Sequence, residues 1–150
     1  MVIKQLEEQM FEDFRNELTN LLRENYLINF PNIVFDEMYF IQKTNGMFNY
    51  IKAGKANVFI AMDECVCGLV WILEREFIFE RRLHINEIVV GEKFRSGGIG
   101  KELVEKVLTY ANEIGISKVD LNMTVNNRRA FEFYKKMGFN IESQLLSLDI

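Results

Sequence analysis

Between Glu8 and Tyr26 the apolar residues Met10, Phe11, Phe14, Leu18, Leu21 and Leu22 recur at helical spacing, with charge on the opposite side. That pattern predicts an amphipathic helix, ended by Pro31. Asp36 is a good helix cap, and Met38, Tyr39 and Ile41 start a second helix that reaches Ile51, whole or broken in two at Gly46. Ala53-Gly54-Lys55 closes it. Val2–Leu6 reads as a short first strand. Asn57–Met62 and Val66–Leu73 form a hairpin through Asp63-Glu64-Cys65, Phe77–Glu80 extends or follows its second strand, and Leu83–Val90 makes another. From Gly98 to Ile114 the residues Ile99, Leu103, Val107, Leu108, Ala111 and Ile114 share one helical face, opposite Glu102, Glu105, Lys106 and Glu113, with Gly115 as the stop. Lys118–Met123 is then a strand, Asn127–Met137 a helix stopped by Gly138, and Phe139 to about Leu148 a last strand. Hairpins in the middle and alternating helices and strands afterwards predict an α/β fold on a mixed, largely antiparallel sheet, with one parallel pair near the end.

Composition narrows the class. A chain of 150 residues makes one domain, 1–150, with a real core. Apolar residues make up 49% and Pro31 is the only proline, which excludes disordered, collagen-like and low-complexity classes. The longest apolar run falls far short of the roughly 20 residues of a membrane span. Met1-Val2-Ile3-Lys4 does not lead from a basic region into a long apolar one, so the expectation is a cytoplasmic protein with no membrane partner. Cys65 and Cys67, two apart, share one face of a strand, where a disulfide is awkward and zinc lacks its other ligands; they read as ordinary thiols, with no metal. Thirteen acids and seven bases precede residue 81, against nine acids and eleven bases from residue 81 onward. The basic second part suits a polyphosphate ligand, and the acidic first part suits a cationic acceptor or is a solvated surface. A nucleic-acid partner is not indicated, because no basic stripe is interleaved with aromatics.

The stretch Ile85 to Lys101 carries the most chemistry. An apolar strand enters a turn containing Gly97, Gly98 and Gly100, and the turn enters a helix. Backbone N–H groups at such a turn converge on one point, the helix dipole adds positive character, and Arg95 and Lys101 flank it. Glycine is needed where a Cβ would block close approach or forbid positive φ. The site is a phosphate or pyrophosphate cradle. A nucleotide P-loop is excluded because Glu102 stands where Ser or Thr is required, and a dinucleotide fingerprint because Leu103 replaces its third glycine, even with Asp120 in the acidic position.

Arg95, Gly98 and Gly100 spell Arg-x-x-Gly-x-Gly after Ile88-Val89-Val90, and a second block runs from Asn126 through Ala130 and Tyr134 to Gly138-Phe139. In order and separation the two blocks resemble the GNAT superfamily of acyl-CoA-dependent N-acyltransferases, closely over about residues 82 to 142. The resemblance implies a sheet of about six or seven strands flanked by about four helices, and acetyl-CoA as donor. It implies that Arg95, Ser96, Gly97, Gly98, Ile99, Gly100 and Lys101 hold the pyrophosphate, and that Val89 and Val90 pair through their backbones with pantetheine as with an added strand. It also implies that the Tyr134 hydroxyl points at the CoA sulfur as the acid. Spacing alone turns Tyr134 inward with Ala130, Phe131 and Met137, as for any core tyrosine.

For the base, His84 is the only histidine and titrates near neutrality as a residue type. Asn86 shares its strand face, and Glu87 lies opposite unless a bulge intervenes. His84, Glu87, water and an N-terminal carboxylate all remain open. Asn126 caps the last helix, bonds the cofactor, or both; Arg128, Arg129 and Lys101 are candidate phosphate partners or solvated surface charges. The aromatic first third, Phe30, Phe35, Tyr39, Phe40, Phe48 and Tyr50, reads as core, and the resemblance places an acceptor pocket under it. The function implied is acetyl transfer to a small-molecule or peptide primary amine by direct attack in a ternary complex, by a monomer or homodimer, with Glu24, Asp36 and Glu37 drawing a cationic acceptor. The alternative is a non-catalytic acyl-CoA-binding or interaction module on the same fold.

Overall fold

The structure is a computed structural model that describes residues 1–150. Strands β1 (Val2–Gln5), β2 (Asn57–Met62), β3 (Val66–Phe77), β4 (Glu80–Val90) and β5 (Val119–Leu121) form one sheet in that order. Each neighbouring pair is antiparallel except β4 and β5, which run parallel. Helices α1 (Phe11–Asn29), α2 (Glu37–Lys52), α3 (Ile99–Glu113) and α4 (Arg128–Lys136) surround it.

Period-2 alternation sends successive residues of each strand to opposite faces, and both faces are covered. On one, Leu18 and Leu22 of α1 and Met47 and Phe48 of α2 pack with Val58, Ile60, Leu69 and Val89. On the other, Leu103, Val107 and Ala111 of α3 pack with Phe59, Val70, Ile72 and Ile85. Leu103 is fully buried, so its truncation to alanine would cost about 2–5 kcal/mol.

Several boundaries move. A short 3-10 turn, Glu8–Met10, precedes α1, which continues past Tyr26 to Asn29, and Pro31 sits in the turn beyond. Asp36 accepts from the Met38 N–H at 2.9 Å, and α2 then passes Gly46 unbroken. Cys65 lies in the β2–β3 turn rather than on a strand, and both cysteines are free thiols. Phe77–Glu80 is no strand of its own: β3 reverses through Ile78 and Phe79, at φ 43° and 67°, straight into β4. Two central residues at positive φ are the geometry of a tight hairpin turn.

The sheet has five strands, not six or seven. Residues 139–150 take no regular structure, so the strand expected from Phe139 to Leu148 does not form. Leu145 and Leu146 are adjacent, which breaks the alternation a half-buried strand requires, and both are exposed. The outer strand they would join, β5, spans only Val119–Leu121 and offers few backbone partners. Glu142 anchors the segment by bonding Arg82 at 2.8 Å and Lys118 at 3.2 Å.

Candidate active site

The β4–β5 ladder is short. It pairs Leu83 with Val119, His84 with Asp120 and Ile85 with Leu121, and there it stops. From Asn86 to Val90 the outer edge of β4 therefore has no strand beside it, and its backbone groups on that side are left unpaired by the sheet. Directly beyond Val90 the chain enters the glycine turn.

In that turn Gly91 donates to the Cys67 carbonyl at 2.8 Å, residues Glu92–Phe94 make a 3-10 turn, and α3 begins at Ile99. None of the six backbone N–H groups from Ser96 to Lys101 donates to an acceptor in the protein. They sit at the positive end of the α3 dipole, an arrangement that favours an anion. Gly98 adopts φ +83° at the cap position, and a Cβ there would meet nothing within 4 Å. Ser96 is also at positive φ, 68°, and its hydroxyl accepts from Arg129 at 3.1 Å. Arg129 thus ties the start of α4 to the turn. Gly100 lies under Phe133, where a Cβ would be 3.6 Å from the ring, ordinary contact rather than a clash.

Arg95 does not reach freely outward. Its Nε donates to the Val90 carbonyl at 3.0 Å and its Nη2 lies 3.6 Å from Glu24, which also accepts from the Glu92 N–H at 3.0 Å. Arg95 locks the turn to the strand end, and Val90 has one carbonyl lone pair already engaged. Lys101 is exposed, 3.6 Å from Glu105.

The cap of α4 is Asn127, not Asn126. Its Oδ1 accepts from the Ala130 N–H at 3.1 Å, and its Nδ2 donates to Asn29 at 2.9 Å, joining α4 to the end of α1. Asn126 is exposed in the turn before it, so no capping role explains it. Tyr134 is buried between Phe133 and Phe139, and burial pushes its phenol up to about 12. The hydroxyl stays protonated at neutral pH.

A bulge decides the other face of the site. Trp71 pairs with Glu87 but Ile72 pairs with Ile85, which leaves Asn86 as the extra residue. The bulge brings Glu87 onto the same face as His84, towards α1 and α2. Glu87 is buried and accepts from Asn25 at 2.7 Å, from the Tyr26 hydroxyl at 3.0 Å, and from Lys43 at 2.9 Å. Burial, reinforced by the adjacent Glu87 charge, raises the Tyr26 phenol far above its usual range. Tyr26 also packs against Phe30, Phe35, Tyr39 and Phe40 beside Glu87, whereas Phe48 stacks on Phe11 and Tyr50 lies against Trp71. Of the six aromatics expected in the core only Phe40 and Phe48 are buried, and Tyr39 and Tyr50 are exposed.

His84 is differently placed. Its Nδ1 is 2.6 Å from Asp120, whose second oxygen takes Arg75 at 2.7 Å and Arg82 at 3.3 Å. Burial pushes the Asp120 carboxyl up, but the bonds from His84, Arg75 and Arg82 outweigh it and hold the group below its ordinary value. His84 Nε2 bonds nothing in the protein and is not sealed from solvent. Asp120, Asn25 and Tyr26 were not legible as site residues: each depends on a register or packing that no local motif encodes.

The three acids expected to draw a cationic acceptor are all engaged. Glu37 pairs with Arg23 at 2.5 Å, Asp36 caps α2, and Glu24 holds the glycine turn. No group of three or more His, Cys, Asp or Glu side chains is arranged to hold a metal, and no helix is long and apolar enough to cross a membrane.

The chain as a whole matches known proteins in sequence and in fold. The acetyltransferase (GNAT) family model matches residues 4–139. An uncharacterized N-acetyltransferase of Methanocaldococcus jannaschii is 37% identical over 95 residues, 63% of this chain and 39% of that one. Human N-alpha-acetyltransferase 30 is 33% identical over 89 residues, 58% of this chain and 25% of that one. The matches thus span well under half the length of these two relatives. Among solved structures, an aminoglycoside acetyltransferase from an uncultured soil metagenomic sample superposes with a TM-score of 0.76 at 18% identity, over 99% of this chain and 94% of that one. That likeness is one of fold, whereas the family match covers nearly the whole sequence. The chain belongs to the acetyltransferase (GNAT) family.

Proposed function

We propose that this protein is an acetyl-CoA-dependent N-acetyltransferase that acetylates a primary amine by direct attack within a ternary complex. The observation that carries the reading is the run of unpaired N–H groups from Ser96 to Lys101 at the mouth of the unpaired β4 edge. The first suits a pyrophosphate and the second suits the amides of a pantetheine arm, which bind a strand edge as another strand would. Arg129 reaches the same turn through the Ser96 hydroxyl. When bound, acetyl-CoA supplies a thioester whose acyl carbon is open to amine attack.

The chain's own groups supply the rest. His84 Nε2 carries a free lone pair and takes the proton the amine must lose. The Glu87 carboxylate already accepts three donors and serves as an anchor for α1 and α2 instead. Tyr134 keeps its proton and offers a hydrogen bond to a developing thiolate. A phenol near 12 is a weaker acid than a thiol near 8.5, so it stabilises the leaving sulfur without fully surrendering its proton. His84 then releases that proton to solvent and solvent protonates the thiolate, so the products are an amide and a free thiol and the neutral imidazole is restored.

Calorimetry with CoA and acetyl-CoA, followed by thiol release with a panel of amines, amino sugars and peptide N-termini, tests the reading. Binding with amine-dependent thiol release supports it. Binding without release would favour the acyl-CoA-binding module, and no binding near millimolar cofactor would end both readings.

A further inference from the structure

The His84 imidazole is gripped from one side only. β5 contributes Asp120, whose two oxygens are divided: Oδ1 faces His84 Nδ1 at 2.6 Å, while Oδ2 takes Arg75 from β3 at 2.7 Å and Arg82 from β4 at 3.3 Å. Arg82 is itself immobilised. It is buried, bonds Glu80 and Glu142, and stacks 3.9 Å from the Phe77 ring centroid. Lys118 closes the outer side of the cluster against Glu142 and Glu80, and towards α2 the next charged pair is Lys43 with Glu87.

This division has a chemical consequence. An ionised carboxylate only accepts hydrogen bonds, so Nδ1 must be the donor across the 2.6 Å contact. In the neutral imidazole the proton then sits on Nδ1 and Nε2 is bare, the reverse of the tautomer that histidine prefers in water. Two guanidinium groups on the other oxygen keep the carboxylate ionised and prevent its rotation. The same logic lets a buried carboxylate orient a general base elsewhere in enzymology. Parallel register between β4 and β5 puts His84 directly opposite Asp120, at the last rungs before the strands part. The bare nitrogen therefore belongs to a ring fixed one rung before the β4–β5 ladder ends.

We propose that Asp120, clamped by Arg75 and Arg82, is a positioning residue that fixes His84 as the Nδ1–H tautomer and so makes Nε2 the base of the transfer. The proposal rests on the acetyltransferase reading above. His84 is the only histidine in the chain, so its ring nitrogens give one unambiguous set of signals. Long-range proton–nitrogen NMR at pH 8 on the uniformly labelled wild type should show a protonated Nδ1 and an unprotonated Nε2. A protonated Nε2 would overturn the proposal without any variant being needed.

In Asp120→Asn the amide can donate to Nδ1, so the tautomer should flip. The kcat should then fall by about 10²–10⁴-fold, with KM for amine and acetyl-CoA little changed. Asp120→Glu, which keeps the carboxylate, should recover part of the rate and of the tautomer signature. A flipped tautomer with full kcat would overturn the positioning role, as would a loss carried entirely by KM. If the wild type showed the Nδ1–H tautomer yet released no thiol with any amine, the acetyltransferase reading would fall and the clamp would remain as a structural pair.

Discussion

Replacing Gly98 with alanine separates backbone conformation from steric fit, because the two effects act in different places. Gly98 is at φ +83°, and nothing in the protein lies within 4 Å of the added Cβ. Clash therefore contributes nothing to the cost. Holding an L-residue in the left-handed region costs about 1–2 kcal/mol. Loss of glycine's freedom in the unfolded chain offsets about 0.4–1 kcal/mol of that, which leaves a net loss of about 1 kcal/mol. For a chain of this length that lowers Tm by about 2–4 °C. Gly46→Ala is the matched control. It sits inside α2 at ordinary helical φ, also with nothing within 4 Å, and should gain about 0.8–1 kcal/mol from helix propensity. The same chemical change thus moves Tm in opposite directions, and differential scanning calorimetry should find the two variants about 4–8 °C apart. Cofactor affinity should divide them as well. If the strained turn relaxes and withdraws one charge-assisted N–H bond worth about 1.5–3 kcal/mol, affinity for CoA falls by roughly 10- to 100-fold in Gly98→Ala. It should be untouched in Gly46→Ala. Equal Tm shifts of the same sign, or a Gly98→Ala protein that binds CoA as the wild type does, would refute the assignment of the turn.

Tyr134→Phe should lower kcat by about 10- to 1000-fold while calorimetric affinity for acetyl-CoA holds; an equal fall in affinity would mean the tyrosine acts by packing. Glu87→Gln leaves the Lys43 ammonium without its anion in a half-buried site, and urea unfolding should show a loss of about 1–3 kcal/mol. Adding Lys43→Met should return part of that loss, and strict additivity would show that the pair is not coupled. Glu142 is held down to about 2 by its bonds to Arg82 and Lys118, and Asp120 also lies below its ordinary value. Folded values below unfolded ones mean stability that is present above about pH 4.5 and is lost as pH falls towards 2. Arg82→Met should therefore flatten the fall in stability across that window, and an unchanged slope would disprove the linkage.

The elements most legible in the sequence are those whose signals are local. The Asp36 cap, the glycine turn and most of the α3 stripe depend on neighbours within a few residues and form where the pattern places them, but Leu108, grouped with that stripe, is exposed and Val104 is buried instead. The β3–β4 hairpin was missed because Ile78 and Phe79 occupy turn positions usually held by Asn or Gly, so no turn chemistry marked it. The last strand was over-read from apolar content alone: Leu145, Leu146 and Leu148 supply hydrophobicity, but adjacency and a three-residue neighbour deny them a ladder. Capping failed by one residue, since Asn126 and Asn127 are chemically identical and only the backbone decides which side chain turns back to Ala130.

The site shows the same boundary between local and non-local information. Simple alternation along β4 puts His84 and Glu87 on opposite faces, and nothing in Ile85-Asn86-Glu87 announces the extra residue. The bulge at Asn86 reverses the parity of everything after it. Glu87 and Val89 therefore face α1 and α2 together with His84, which gives one face two ionisable groups three residues apart. Their surroundings then divide the work. Glu87 meets Asn25, Tyr26 and Lys43, three donors from the two covering helices, and becomes the pin that holds those helices to the sheet. His84 meets one carboxylate on one nitrogen and keeps the other open. Two candidates that the sequence left open are separated by their partners, and those partners come from α1, α2 and β5, between 36 and 62 residues away in the chain.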